Sequence, residues 1–189
     1  MNLSMAWFLS YCGWIASEIY VGVSTRTRHS SGTVRDRGTL RLLWIVIALS
    51  LGVGITLGQI MGPNLPGSAV WPAPVSLAVL VCGMALRWTA IRTLGKSFSS
   101  NVAIHATQKV MKSGLYRLMR HPSYTGLLLS ILAVGLHTRN GIALLIVIVP
   151  TTAALLYRIQ IEEIALREHF GQEYEEYCDE TKRLIPGIY

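Results

Sequence analysis

Runs of 14 to 21 apolar residues recur along this chain between short connections, and that spacing constrains the fold more than any other feature. A bilayer core about 30 Å thick is crossed by about 20 helical residues. Inside it, backbone donors and acceptors must be satisfied within each segment. The runs at about 3–23, 42–61, 70–86, 123–136 and 142–157 therefore predict an all-α, polytopic integral membrane protein with five transmembrane helices, forming one domain over residues 1–189. The last two runs are short: they form a hairpin that only just crosses the hydrocarbon, or they cross fully with Ser123–Tyr124 and Tyr157–Arg158 counted in. Pro72 and Pro74 suit a first helical turn, where a missing N–H is harmless. Pro150 falls inside the fifth run, where a proline is expected to kink a helix. The charged fraction of 14% is far below the roughly one quarter of soluble chains. The first 23 residues lack the basic start and cleavage pattern of a secretory leader and read as a retained span.

The net charge of +7 is unevenly placed. Residues 1–157 hold 13 Lys/Arg against two acids, and residues 158–189 hold four against eight. The basic residues flank the apolar runs, which fits orientation and headgroup contact better than nucleic acid. With five spans, segments 24–41, 87–121 and 158–189 share one side and carry 16 Lys/Arg, while the other side has Arg139 alone. The basic side is then cytoplasmic, with the N-terminus outside and the C-terminus inside. Glu18, near a span end, is expected to snorkel to the interface. Cys12, Cys82 and Cys178 are scattered and show no metal-ligand spacing, and no disulfide framework is expected.

Residues 113–126 read Ser-Gly-Leu-Tyr-Arg-Leu-Met-Arg-His-Pro-Ser-Tyr-Thr-Gly, a polar, aromatic, basic stretch leading straight into the fourth run. His121 precedes Pro122 and is biased toward an extended conformation. Its ring is placed beside the free N–H groups of a helix start, which suit an anionic or polar ligand group; a capping histidine with no ligand is the alternative. Tyr116 and Tyr124 flank it, as membrane anchors or as aromatic walls that attract a cation. Arg117 and Arg120 are expected at headgroups, and His105 at the surface. Arg158 and Glu162 share one helix face. They form a helix ion pair worth about 0.3–0.5 kcal/mol if exposed, or they face a site, with one carboxylate of the Glu162–Glu163 doublet pointing inward. Leu166, Phe170, Tyr174 and Tyr177 mark the apolar face of an amphipathic C-terminal helix, broken at Gly171, that covers the cytoplasmic mouth of the bundle. Nucleotide-binding glycine patterns, His-Glu-x-x-His and Gly-x-Ser-x-Gly do not occur.

Ser113-Gly114-x-Tyr116, Arg120-His121-Pro122-Ser123-Tyr124-x-Gly126, Arg158-x-x-x-Glu162-Glu163, Phe170-Gly171-x-x-Tyr174-x-x-Tyr177 and the late Arg183 and Pro186 resemble the isoprenylcysteine carboxyl methyltransferase family, over a catalytic region of about 95–187. The chain looks like a short, prokaryotic-type member, and its N-terminal half carries no motif of the family. The resemblance implies S-adenosyl-L-methionine in a cytoplasmic cofactor pocket, and no metal. Gln108, Lys109, Val110, Met111 and Tyr116 match the segment that encloses the cofactor. His121, Pro122, Ser123 and Tyr124 match the His-Pro block, and Glu162 matches the acid that binds the cofactor. His105 stands where a glutamine is common. Arg158 matches the residue that orients the substrate carboxylate. The implied reaction is methyl-ester formation on a C-terminal isoprenylated cysteine, with membrane lipids as surroundings and no nucleic-acid partner. N-methylation of a phospholipid or other lipophilic amine is the rival reaction, and a non-catalytic membrane scaffold or transporter subunit the third reading.

Overall fold

The computed structural model describes residues 2–25, 33–34, 38–66, 72–100, 103–104 and 109–189. Among the described residues, six α-helices follow one another: α1 (Leu3–Ser24), α2 (Thr39–Met61), α3 (Pro72–Leu94), α4 (Pro122–His137), α5 (Gly141–Phe170) and α6 (Gln172–Glu180). The only strands among the described residues are a two-residue pair, β1 (Thr33–Val34) and β2 (Ala103–Ile104). They run antiparallel, Thr33 opposite Ile104, and join the α1–α2 connection to the α3–α4 connection.

Local chemistry sets the helix ends. The Asn2 side chain accepts from the Met5 N–H at 2.8 Å and caps α1. Pro122 opens α4, with φ preset and no donor to lose. Asn140, fully buried, does two jobs. Its Oδ1 accepts from the N–H groups of Ile142 and Ala143, while its Nδ2 donates to the Gly62 carbonyl at 2.8 Å. The start of α5 is thereby fixed to the end of α2. Gly171, at φ 56°, ends α5 and lets α6 turn away. Pro150 lies inside α5 without ending it. Thr151 donates its hydroxyl to the Val147 carbonyl at 2.8 Å, just beyond the bond the proline removes.

Packing is tightest between α3 and α4, then between α2 and α5. At the α3–α4 crossing, a Cβ on Gly126 would lie 2.6 Å from the Arg87 nitrogen and 2.7 Å from the Gly83 carbonyl. Only hydrogen fits there, as small-residue packing in membranes requires. Leu80, Leu127, Ile131, Leu155 and Ile159 fill the core. Successive long helices alternate in direction. The α1 C-terminus, α2 N-terminus, α3 C-terminus, α4 N-terminus and the second half of α5 thus gather at one end of the bundle.

Among the described residues, α2, α3 and α5 are long and apolar enough to cross a membrane. α4 is apolar but has 16 residues, and α1 has the length but a lower hydropathy, from its Trp, Tyr, Ser and Gly content. Two expectations are corrected. The third helix does not stop at Leu86 but continues to Leu94, carrying Arg87 and Arg92 with it; residues 70–71 of that expected span lie outside the described residues. Glu18 does not snorkel. It is 4% exposed, and its carboxylate meets the Arg87 guanidinium at 2.5–2.6 Å. Arg87 also donates to the Ser123 hydroxyl and carbonyl, so α1, α3 and the start of α4 are tied through one buried guanidinium. The pairing explains the burial, since a lone charge in that place would be far costlier than a paired one.

Candidate active site

The end where α3, α4 and α5 meet holds a cavity of about 870 Å³, counting its open mouth. Of the residues singled out from the sequence, Lys109, Val110, Met111, Tyr116, His121, Ser123, Tyr124 and Glu162 line it. Pro122 does not; it starts the helix that carries the others. His105 and Gln108 lie outside the described residues. Arg158 borders a second, smaller cavity of about 390 Å³, together with Arg87, Ser100, Leu43 and Trp44. Tyr124, Phe98 and Ser99 line both cavities.

The Tyr124 hydroxyl joins the two sides. It donates to Glu162 Oε2 at 2.6 Å and accepts from Arg158 Nε at 2.9 Å. A guanidinium only donates and a carboxylate only accepts, so the phenol proton points at Glu162. Arg158 and Glu162 thus meet through an intervening oxygen. Arg158 is 1% exposed, and its Nη1 and Nη2 reach Thr39 Oγ1 and the Ser100 carbonyl at 2.9 and 2.6 Å. The His121 ring stacks on Tyr124, centroids 5.6 Å apart. His121 occupies the cap position of α4 without a side-chain cap bond. Its Nε2 instead lies 3.3 Å from Glu163 Oε1.

Glu163 organises the rest. Fully buried, it accepts from Arg120 Nε at 3.0 Å and from Arg183 Nε and Nη2 at 3.0 and 2.9 Å. Arg120 is therefore not a headgroup contact, as its sequence position suggested. It also donates to the Cys178 and Thr181 carbonyls. Backbone bonds from Arg120 N–H to Lys182 O and from His121 N–H to Arg183 O complete the attachment of the C-terminal segment to the His-Pro block. Of the acidic doublet, Glu162 faces the cavity and Glu163 holds the structure around it.

Leu166, Phe170, Tyr174 and Tyr177 line the cavity from the other side, where their spacing put them over the mouth. The Tyr177 hydroxyl donates to the Tyr116 carbonyl at 2.6 Å, and the Tyr116 hydroxyl to the Ala90 carbonyl at 3.3 Å. Burial, reinforced by the Glu162 carboxylate, pushes the Tyr116 phenol well above its ordinary range, and burial does the same for Tyr174 and Tyr177. These walls present neutral phenols at physiological pH. The contributions of Leu94, Ser97, Phe98 and Ser99 were missed from sequence; the one signal was Phe98, an aromatic in an otherwise polar stretch.

Apolar helices with a cavity of mixed polarity at one end of the bundle define, as a class, a helical membrane protein. A profile of the "Isoprenylcysteine carboxyl methyltransferase (ICMT) family" matches residues 76–168. A "Probable protein-S-isoprenylcysteine O-methyltransferase" of Oryza sativa subsp. indica is 34% identical over 116 residues, 60% of this chain and 61% of the rice protein. The "Protein-S-isoprenylcysteine O-methyltransferase" of Homo sapiens is 32% identical over 149 residues, 78% of this chain and 51% of the human one. The solved structure of the eukaryotic intramembrane Ras methyltransferase ICMT superposes with a TM-score of 0.62 at 28% identity, covering 77% of this chain and 52% of that one. Residues 76–168 are thus similar to the isoprenylcysteine carboxyl methyltransferase family. The chain spans about three fifths of the length of the rice relative and about half of the human one.

Proposed function

We propose that the protein transfers a methyl group from S-adenosyl-L-methionine to the carboxylate of an isoprenylated C-terminal cysteine, at the cytoplasmic face of a membrane it crosses five times. The observation that carries this reading is the bridge Arg158–Tyr124–Glu162, with a buried guanidinium on one cavity and a carboxylate on the other.

The larger cavity fits the cofactor in chemistry. Glu162 complements a positive charge, Tyr116 and Tyr124 offer aromatic faces for a cation, and Leu166 and Phe170 offer apolar walls for a ring. His121, Ser123, Lys109, Val110 and Met111 complete the enclosure, with Gln108 and His105 assigned to it from sequence alone. When bound, the cofactor supplies an electrophilic methyl group on a sulfonium.

The acceptor carboxylate is ionised at neutral pH, so no general base is needed. The residues orient and desolvate. Arg158 holds the carboxylate, ideally through two parallel N–H···O bonds, and its position is set by Tyr124, Thr39 and Ser100. Leu40, Leu43 and Trp44 of the smaller cavity suit an apolar chain arriving from the bilayer. Their walls exclude water from the reacting oxygen. A buried cation beside the acceptor favours a carboxylate and disfavours an ammonium, which argues against phospholipid N-methylation.

A radiolabelled methyl-transfer assay on purified protein tests the proposal, with a farnesylcysteine analogue and a phosphatidylethanolamine as competing acceptors. Label on the cysteine analogue, released by alkali as volatile methanol, is the expected result. Alkali-stable label on the lipid amine, or no S-adenosylmethionine binding at all, overturns it.

A further inference from the structure

The opposite end of the bundle carries a site with no part in the proposed reaction. α1 packs on α3 and scarcely touches α2, leaving a gap between α1 and α2 floored by α4. Its far end is an open cavity of about 840 Å³, lined by Trp7, Tyr11, Ile55, Gln59, His137 and Arg139 among others. It is separated from His121 by the length of α4, 16 residues or about 24 Å. The His137 ring stacks on Trp7 at 3.9 Å and contacts the Ser76 hydroxyl at 3.2 Å, which holds α1 at a fixed distance there.

Two features single out Arg139. It is the only Lys or Arg in the connections at that end, 62–69 and 137–140, and among the described residues its guanidinium has no hydrogen-bond or ion-pair partner. It also sits at φ 58°, the only non-glycine residue with positive φ among the described residues. A glycine or asparagine would occupy that conformation with less strain. The bend itself is held by the backbone, since the Arg139 carbonyl accepts from Asn64 and Leu65. An arginine is thus not needed for the turn.

We propose that this cavity binds a phospholipid. Arg139 takes the anionic headgroup, Trp7 and Tyr11 sit at headgroup level as interfacial aromatics do, and an acyl chain lies in the α1–α2 gap beside Ile55. An apolar gap open to the bilayer is filled by lipid rather than water, and the lone guanidinium selects the charge of its head.

Native mass spectrometry of the full chain, purified in detergent and offered phosphatidylglycerol or phosphatidylcholine, reads out the site. The wild type is expected to retain one phosphatidylglycerol in preference to phosphatidylcholine. Arg139→Asn, whose new residue suits the turn, should melt no lower than wild type yet lose retention about fivefold, the factor one basic residue contributes at an anionic lipid. Arg139→Lys should keep most of it. Equal retention of the two lipids by the wild type, unchanged retention in Arg139→Asn, or displacement of the lipid by millimolar inorganic phosphate, which would mark a site for free anions, overturns the proposal. None of these readouts depends on methyl transfer.

Discussion

At the scale of single residues, the site separates a working carboxylate from a structural one. Glu162 and Glu163 are neighbours in sequence, but only Glu162 lines the cavity, while Glu163 joins Arg120, His121 and Arg183. Glu162→Gln should fold and melt near wild type while losing S-adenosylhomocysteine binding by tenfold or more, measured by calorimetry; hydrogen bonds to charged groups are worth about 1.5–3 kcal/mol. Glu163→Gln should do the reverse and lower the melting temperature first, because breaking a buried pair costs about 3–5 kcal/mol. If Glu163→Gln melts like wild type, the structural role assigned to it is wrong. Tyr124→Phe probes the bridge itself. The variant keeps the stack on His121 and removes the one oxygen that Arg158 and Glu162 share. Methyl transfer should fall at least tenfold while S-adenosylhomocysteine affinity changes by less. Equal losses in both would show that the hydroxyl serves the cofactor alone. Glu162 was legible as one of a pair at helical spacing from Arg158. The hub around Glu163 was not, because its partners come from residues 120, 121 and 183, and no local pattern in the sequence marks their convergence.

At the scale of elements, α1 and the α3–α4 pair are held by different physics. α3 and α4 meet at Gly83 and Gly126, where backbones nearly touch. Gly126→Ala inserts a methyl group 2.6 Å from the Arg87 nitrogen, so the helices must separate. A loss of about 1–3 kcal/mol is expected, read as a lower melting temperature in detergent, with a larger effect than Ala substitution at Gly13, where a Cβ meets nothing within 4 Å. α1, by contrast, is held inward by Glu18 on Arg87. Arg87→Met alone leaves a buried carboxylate unpaired and should destabilise strongly, whereas Glu18→Met combined with Arg87→Met should recover much of the loss. A double variant no better than Arg87→Met would show that Arg87 acts through Ser123 instead. The apolar runs made the helices legible, but not where the third one ends. Arg87 reads as the first residue of a polar loop, since a sequence shows its charge and not the acid on another helix that lets it stay buried. The two-residue pairing of β1 with β2 left no periodicity to detect.

For the whole molecule, the arrangement of polar groups in the bundle and the distribution of charge along the chain lead to one orientation. Segments 24–41, 87–121 and 158–189, which adjoin the helix ends at the large cavity, hold 16 of the 17 Lys and Arg, while the connections at the other end hold Arg139 alone. That asymmetry holds because α1 to α5 alternate in direction, although among the described residues only α2, α3 and α5 are both long and apolar enough to cross a membrane unaided. In the proposed five-span arrangement α4 and α1 cross as parts of a bundle: α4 is packed between α3 and α5, and α1 is held by its ion pair and by the Trp7–His137 stack. The basic end should then face the cytoplasm, following the Lys/Arg bias of membrane proteins. In a variant lacking Cys12, Cys82 and Cys178, a single cysteine replacing exposed Glu173 should react with an impermeant maleimide only after the cells are opened. A single cysteine replacing exposed Pro63, at the other end, should react in intact cells. The reverse pattern would invert the protein, and labelling of both from one side would mean that an odd number of α3, α4 and α5 fails to cross. The reverse pattern, or labelling of both in intact cells, would move the cavity of Glu162 and Tyr124 away from the side where a cytoplasmic methyl donor can reach it.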